Sequence, residues 1–475
     1  MSTGARRILA NTGYRLLADA GSKLASIAFY VVMARELGSK GFGVFTFGLA
    51  FVILATTLGN FGQDSILTRE VARDRSLLDG YFVNTLMLKV VLCGLSLAAT
   101  IGAASLVGIS GQTRTVLLLL GPAATLELLS TTCFAVFQAY ERLEFVPVAL
   151  ISQRTLIAAA GIGALLAGAG VVAVSAIYLG GALFGFLLAL VLLRTRLARP
   201  AFVVEPARWW SLMRAAAAIG LAGVFAVVLF RVDMTMLAAF KSDVVVGHYG
   251  AAYRLLEATL FISWGVSSAV YPVFSRLSPT SEPPVGFVYE RGVKLGLALT
   301  SPLATGALVL AGPVVRLLYG PEYADAAGAL RLLAPAIALY PVCYVTGSLL
   351  VSQNRQRVMM VVYACVAVEN VAGNFVLIPW LSLDGAALGT SLSTVLVAVA
   401  LVASAQHRVD WGRALGGPVL ASAAAGVAML LLRDNLAEAL VAGAVLYLGV
   451  LVLFERRLFP EDARAVLDLL PGRTA

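Results

Sequence analysis

The chain has 475 residues, 60% of them hydrophobic and only 13% charged, with a formal net charge of +9 and a mean hydropathy of +0.90. That composition excludes a soluble globular domain. The basic excess is spread over short loops rather than gathered on one face, which excludes nucleic acid as a partner and leaves membrane topology as its explanation.

The same inventory bounds the chemistry. No polar stretch is long enough to form a separate catalytic domain, and no GxxxxGK[ST] loop is present. Cys93, Cys133, Cys343 and Cys365 fall in apolar segments without CxxC spacing, and the two histidines, His248 and His407, lie near loops. The expectation is a non-enzyme with no cofactor and no metal site.

In chain order, the first notable stretch is residues 11–34. It has the length of a bilayer-spanning helix, about 20 residues at a rise of about 1.5 Å, and internal charges that argue against a removed signal peptide. Arg15, Asp19 and Lys23 follow one another at four-residue steps, so a helix stacks them on one face. Lipid cannot take that face at roughly 2.5–3.5 kcal/mol per central charge, so it must look into a polar interior. Apolar windows of about 19 residues predict fourteen spans, centred near residues 23, 52, 93, 127, 157, 182, 226, 261, 302, 340, 368, 396, 424 and 446. With the N-terminus in the cytoplasm, about 21 basic residues fall on the inside and about seven on the outside, and both termini are inside.

Residues 194–214 form the longest internal connection. Pro200 and Pro206 break it, and Trp209 and Trp210 among arginines predict a short interfacial helix. The sequence on its two sides is repeated. Ala34, Gly43 and Phe45 match Ala238, Gly247 and Tyr249 at an offset of about 204 residues. Leu119–Ala123 matches Leu332–Ala336, and Arg142 matches Arg355, at an offset near 213; Gly170 corresponds to Gly385. The expectation is therefore all-α: two six-helix lobes related by a pseudo-twofold along the membrane normal, plus two C-terminal helices. The boundaries are 1–195, a cytoplasmic linker at 196–213, 214–410, and 411–475, with a substrate cleft between the lobes.

Twelve charged side chains fall within the predicted spans. Besides the first-helix ladder they are Lys89, Glu127, Arg154, Arg231, Asp233, Arg254, Glu257, Lys294 and Glu369. Snorkelling to the cytoplasmic boundary accounts for Lys294 and Lys89. Lys23, Glu127 and Arg254 lie deeper and either fasten the bundle as interhelical ion pairs or line a cavity. Seven cations against five carboxylates leave a surplus of about +2, which favours an anionic substrate. Asn370 and Asn374 next to Glu369 extend the polar set, with bridging between helices as the alternative.

The segment ARELGSKGFGVFTFG, Ala34 to Gly48, resembles the signature that follows the first helix of polysaccharide-type transporters in the multidrug/oligosaccharidyl-lipid/polysaccharide (MOP) flippase superfamily. RVDMTMLAAFKSDVVVGHYGAAYRL from Arg231, YPVFSRL from Tyr271, LYGPEYADA from Leu318 and GNFVLIPWLSLDGAALGTSLS from Gly373 are similar to later parts of that family in the same order. The resemblance implies a flippase carrying an undecaprenyl-diphosphate-linked oligosaccharide from the cytoplasmic to the periplasmic leaflet of a bacterial inner membrane. A polymerase and glycosyltransferases would be its functional neighbours. It points to Arg15, Lys23 and Arg254 as diphosphate ligands, joined by Arg154 in the cavity. Asp19, Glu127, Arg231, Asp233, Glu257, Glu369, Asn370 and Asn374 then form the cavity and any H⁺ or Na⁺ coupling site. A lipid II flippase and a cation-coupled multidrug antiporter of the same superfamily are the alternatives. A membrane polymerase would need a long outer loop, and those here have only about 5–15 residues.

Overall fold

The computed structural model describes the backbone of residues 3–106, 111–276 and 284–459, and the side chains of 25–102, 111–217, 219–276 and 284–459. Among these residues every regular element is helical. In order they are α1 (Thr3–Thr56), α2 (Gln63–Arg73), α3 (Leu78–Leu106), α4 (Gly111–Ala139), α5 (Phe145–Leu166), α6 (Val171–Arg196), α7 (Pro206–Phe240) and α8 (Asp243–Arg276). They continue with α9 (Val285–Val309), α10 (Ala311–Tyr319), α11 (Ala326–Ser352), α12 (Gln356–Leu381), α13 (Leu383–Ser404), α14 (Trp411–Leu431) and α15 (Leu436–Leu458).

Thirteen of the described helical segments are long and apolar enough to cross a membrane. Fourteen centres were predicted, and the difference arises in α1. Its 54 residues hold the first two predicted spans end to end, broken at Gly38, where φ 65° and ψ 178° leave the helical region. Only glycine adopts that backbone without strain, so this residue sets where the first arm stops and the second begins. The apolar residues of these helices cannot be sorted into core and surface by periodicity, because lipid accepts Val441 and Leu448, both mostly exposed, as readily as the interior accepts Leu349.

Two local features depart from the sequence reading. Residues 206–213, predicted as a separate interfacial helix, are the first turns of α7. Pro206 at the helix start presets φ and needs no N–H partner, and no breaker follows before Lys241. Trp209 turns inward to donate its indole N–H to Asn84 Oδ1 at 3.0 Å, while Trp210 is 71% exposed. The short helices α2 and α10 were not anticipated; both are too brief to give a hydropathy signal.

The chain forms two compact units: Met1–Arg254 with Met359–Ala386, and Leu255–Val358 with Ala387–Ala475. In the first, α1 packs on α4, α5 and α7, and α4 packs on α6. In the second, α9 is central. It packs on α11 and α14, and Tyr447 of α15 donates to Ala298 O at 2.7 Å.

The internal repeat is visible in backbone detail. Arg142 N bonds to Phe137 O and Arg355 N to Leu350 O, both at 2.8 Å; Glu141 N bonds to Gln138 O and Asn354 N to Val351 O, both at 3.0 Å. Glu141 and Asn354 share φ 59°, so the same left-handed turn closes α4 and α11 at the expected register. A second correspondence lies within the first unit, between the later arm of α1 and the start of α8. A Cβ on Gly43 would lie 1.8 Å from Asp243 O, and one on Gly247 would lie 2.0 Å from Ser39 O. Adding the offset of about 204 residues turns each of these contacts into the other. Gly250 faces its own counterpart, Thr46, whose Oγ1 would be 2.9 Å from a Cβ. A contact that maps onto itself in this way is the mark of a twofold axis, and here glycine alone lets the two backbones approach.

Candidate functional site

One polar constellation among the described residues of the first unit is built on Glu127 of α4. Its Oε1 accepts from Arg154 Nη2 at 3.1 Å, from Gln153 Nε2 at 3.0 Å and from Tyr178 OH at 3.1 Å. Arg154 Nη1 donates to the Tyr178 hydroxyl at 2.9 Å, closing a ring of partners across α4, α5 and α6. Arg154 and Glu127 keep side-chain exposures of 28% and 24%, whereas Tyr178 and Gln153 are buried. The pair is therefore held from behind and open in front. Aromatic rings extend the site: Phe45 meets Tyr178 edge-on at 5.9 Å, and Tyr30 lies 6.4 Å from Phe45. Arg254 of α8 places its guanidinium 4.1 Å from the Tyr30 ring centroid, a close cation–π contact. Two of the predicted substrate cations, Arg154 and Arg254, thus meet one aromatic wall formed by α1 and α6.

The other predicted site residues in the described part sit on α7, α8 and α12. Asp233 of α7 is fully buried and accepts from the Tyr249 hydroxyl and, at 2.7 Å, from the Met234 amide. Arg231 stands 6.0 Å from the Tyr253 ring, whose hydroxyl donates to Phe230 O at 2.6 Å. On α12, Asn374 Nδ2 donates to Asn370 Oδ1 at 3.1 Å; both residues are fully buried, and Asn374 Oδ1 has no hydrogen-bond partner among the described residues. Glu369 and Glu257 are half-buried on α12 and α8. His248, read from the sequence as near a loop, is buried in the second turn of α8. Arg15, Asp19 and Lys23 lie outside the described side chains.

The lysines correct the charge tally. Lys89 does not snorkel: it is fully buried, and its ammonium donates to Asp64 Oδ2 at 2.7 Å, Leu128 O at 2.9 Å and Thr131 Oγ1 at 2.9 Å. Asp64 also accepts from Thr131 at 2.6 Å and from Thr132 at 3.1 Å, beside a cleft of about 530 Å³. Lys294 likewise pairs with Glu455 of α15 at 2.5 Å. Asp64 lies in the first turn of α2 and Glu455 in the last turn of α15, and neither is among the twelve charges assigned to the predicted spans. With both lysines matched, the predicted surplus of two cations disappears. An anion preference must then come from the placement of individual guanidinium groups rather than from net charge. Tyr30, Tyr178 and Gln153 were also missed, since an isolated tyrosine or glutamine in an apolar run carries no sequence signal. Only the need of Glu127 for donors could have pointed to them.

Residues 8–278 match the family described as polysaccharide biosynthesis protein, and residues 218–376 match the MatE family. A probable low-salt glycan biosynthesis flippase of Haloferax volcanii is 26% identical over 162 residues, a segment that spans 34% of this chain and 34% of that protein. Among solved structures, a lipid II flippase, MurJ, in an inward closed conformation superimposes with a TM-score of 0.79 at 14% identity, covering 93% of this chain and 98% of the other. An inward-facing multidrug resistance MATE transporter of the MOP superfamily gives 0.66 at 16% identity, covering 80% and 92%. These two likenesses establish the fold, and the family match covers more than half of the sequence. The chain belongs to the polysaccharide biosynthesis family of the MOP flippase superfamily, a multi-pass membrane protein.

Proposed function

We propose that this protein flips a polyprenyl-diphosphate-linked oligosaccharide, undecaprenyl being the carrier the family resemblance implies, from the cytoplasmic to the periplasmic leaflet by alternating access. In this reading both termini are cytoplasmic, and residues 1–195 and 214–410 move as two lobes joined by 196–213. The observation that carries the reading is the convergence of Arg254 and Arg154 on the Tyr30–Tyr178 wall. Arginine offers a donor fork matched to phosphate oxygens, and aromatic faces suit the apolar faces of sugars. A diphosphate would compete with Glu127 for Arg154 while Tyr178 keeps the guanidinium oriented. Arg15 and Lys23 would complete the headgroup site. Asp233, Arg231, Glu257, Glu369, Asn370 and Asn374 would serve cavity shape or H⁺ or Na⁺ coupling.

The test is surface-polysaccharide export by Arg254→Ala and Lys23→Ala variants inserted at normal levels. Loss of export, with lipid-linked repeat units accumulating on the inner leaflet, supports the assignment; unimpaired export by both variants refutes it. The balanced interior charge and the MatE match favour a second reading, a cation-coupled multidrug antiporter. That reading predicts drug sensitivity on deletion without glycan accumulation.

A further inference from the structure

The turn between α6 and α7 spends its hydrogen bonds inward. Ala201 N donates to Asp79 Oδ1 at 2.9 Å, and Asn84, buried on α3, donates to Val203 O at 3.0 Å. Asn84 Oδ1 also accepts from Glu205 N at 2.7 Å and from the Trp209 indole. Asn84 thus satisfies three groups of the connection and fixes it against the end of α3. Leu197 and Ala198 pack against the core and Pro200 is buried, whereas three apolar side chains further on project outward: Phe202 is 76% exposed, Trp210 71% and Val204 41%. Arg194, Arg196 and Arg199 are exposed beside them. The neighbouring carboxylates are engaged elsewhere, Glu205 by Arg208 at 2.9 Å and Asp79 by the Ala201 amide. An exposed aromatic pair in a pinned turn is costly in water and suited to the headgroup region, where amphipathic rings settle. Three arginines close in sequence, with no ion pair among the described residues, add a charge preference.

We propose that the α6–α7 turn is a binding surface for anionic phospholipid headgroups. Phe202 and Trp210 enter the interfacial layer, and Arg194, Arg196 and Arg199 take the headgroup phosphates. This surface is separate from the proposed flipping site, and its occupant does not depend on which substrate that site carries.

The experiment uses the full chain with Trp210 as its single tryptophan, the other four replaced by Phe. It is reconstituted in phosphatidylcholine vesicles containing a minor fraction of either brominated phosphatidylglycerol or brominated phosphatidylcholine. Quenching of Trp210 should be clearly stronger by the anionic lipid, with local enrichment of about fivefold for each arginine that reaches a headgroup. The Arg194→Gln/Arg196→Gln/Arg199→Gln variant should lose that preference while still being quenched by brominated phosphatidylcholine. A second reporter, Phe202→Trp in a chain that keeps Trp209 and has the other four tryptophans replaced by Phe, reads the turn itself with the Trp209–Asn84 bond intact. Equal quenching by the two lipids with the arginines present would overturn the proposal. Absence of quenching at both positions would also overturn it, as would a preference that survives removal of all three arginines.

Discussion

Removing the carboxylate at Asp64 should damage the protein more than removing the lysine it faces. In Asp64→Ala the Lys89 ammonium stays fully buried with Leu128 O and Thr131 as its remaining partners among the described residues. Deleting one partner of a buried ion pair costs about 3–5 kcal/mol. In Lys89→Met the remaining carboxylate is 19% exposed, keeps the Thr131 and Thr132 hydroxyls and borders the cleft. Its expected cost is nearer 1–3 kcal/mol. The double variant Asp64→Leu/Lys89→Met removes both charges and should recover most of the loss, since apolar replacements of buried pairs are often neutral or better. At about 2 °C per kcal/mol for a large chain, Asp64→Ala should melt roughly 6–10 °C below wild type. Thermal unfolding in detergent, followed by tryptophan fluorescence at one scan rate for all four proteins, gives the comparison. A double variant as unstable as the sum of the two singles would refute the reasoning, as would an Asp64→Ala variant that melts with wild type.

Gly43→Ala and Gly247→Ala should each force the backbones of α1 and α8 apart by about 1.5 Å, taking ordinary contact as about 3.5 Å. Overpacking of this kind costs about 1–3 kcal/mol. Because the two contacts map onto one another, the double variant should cost less than the sum; additive melting shifts would argue against a shared contact. Asn84→Leu should free the α6–α7 turn while leaving its helices intact, so limited proteolysis between residues 199 and 206 should accelerate several-fold; an unchanged cleavage rate would mean that Asn84 does not hold it. Glu127→Gln keeps an acceptor for Tyr178 and Gln153 but removes the charge opposite Arg154. If the diphosphate reading holds, it should tighten binding of pyrophosphate-bearing lipid, measured by thermal shift, and weaker binding would contradict competition at Arg154.

The membrane class, the positions of the spanning helices and the duplication were all legible in the residues. Hydropathy integrates over about 19 positions and tolerates local error, and glycine and arginine landmarks such as Gly43, Gly247, Arg142 and Arg355 keep their register through the repeat. Charges inside spans were equally legible as a problem, since any burial of Lys89 or Glu127 demands a partner. Which partner answers was not. Asp64 lies 25 residues from Lys89 and Glu455 lies 161 from Lys294, and no local rule relates positions so far apart. Tyr30 and Tyr178 became part of a site only when α1, α4, α5, α6 and α8 were brought together. Composition and periodicity, being local sums, determined what kind of molecule this is; long-range packing alone decided which charges neutralise each other and which guanidinium groups face an aromatic wall.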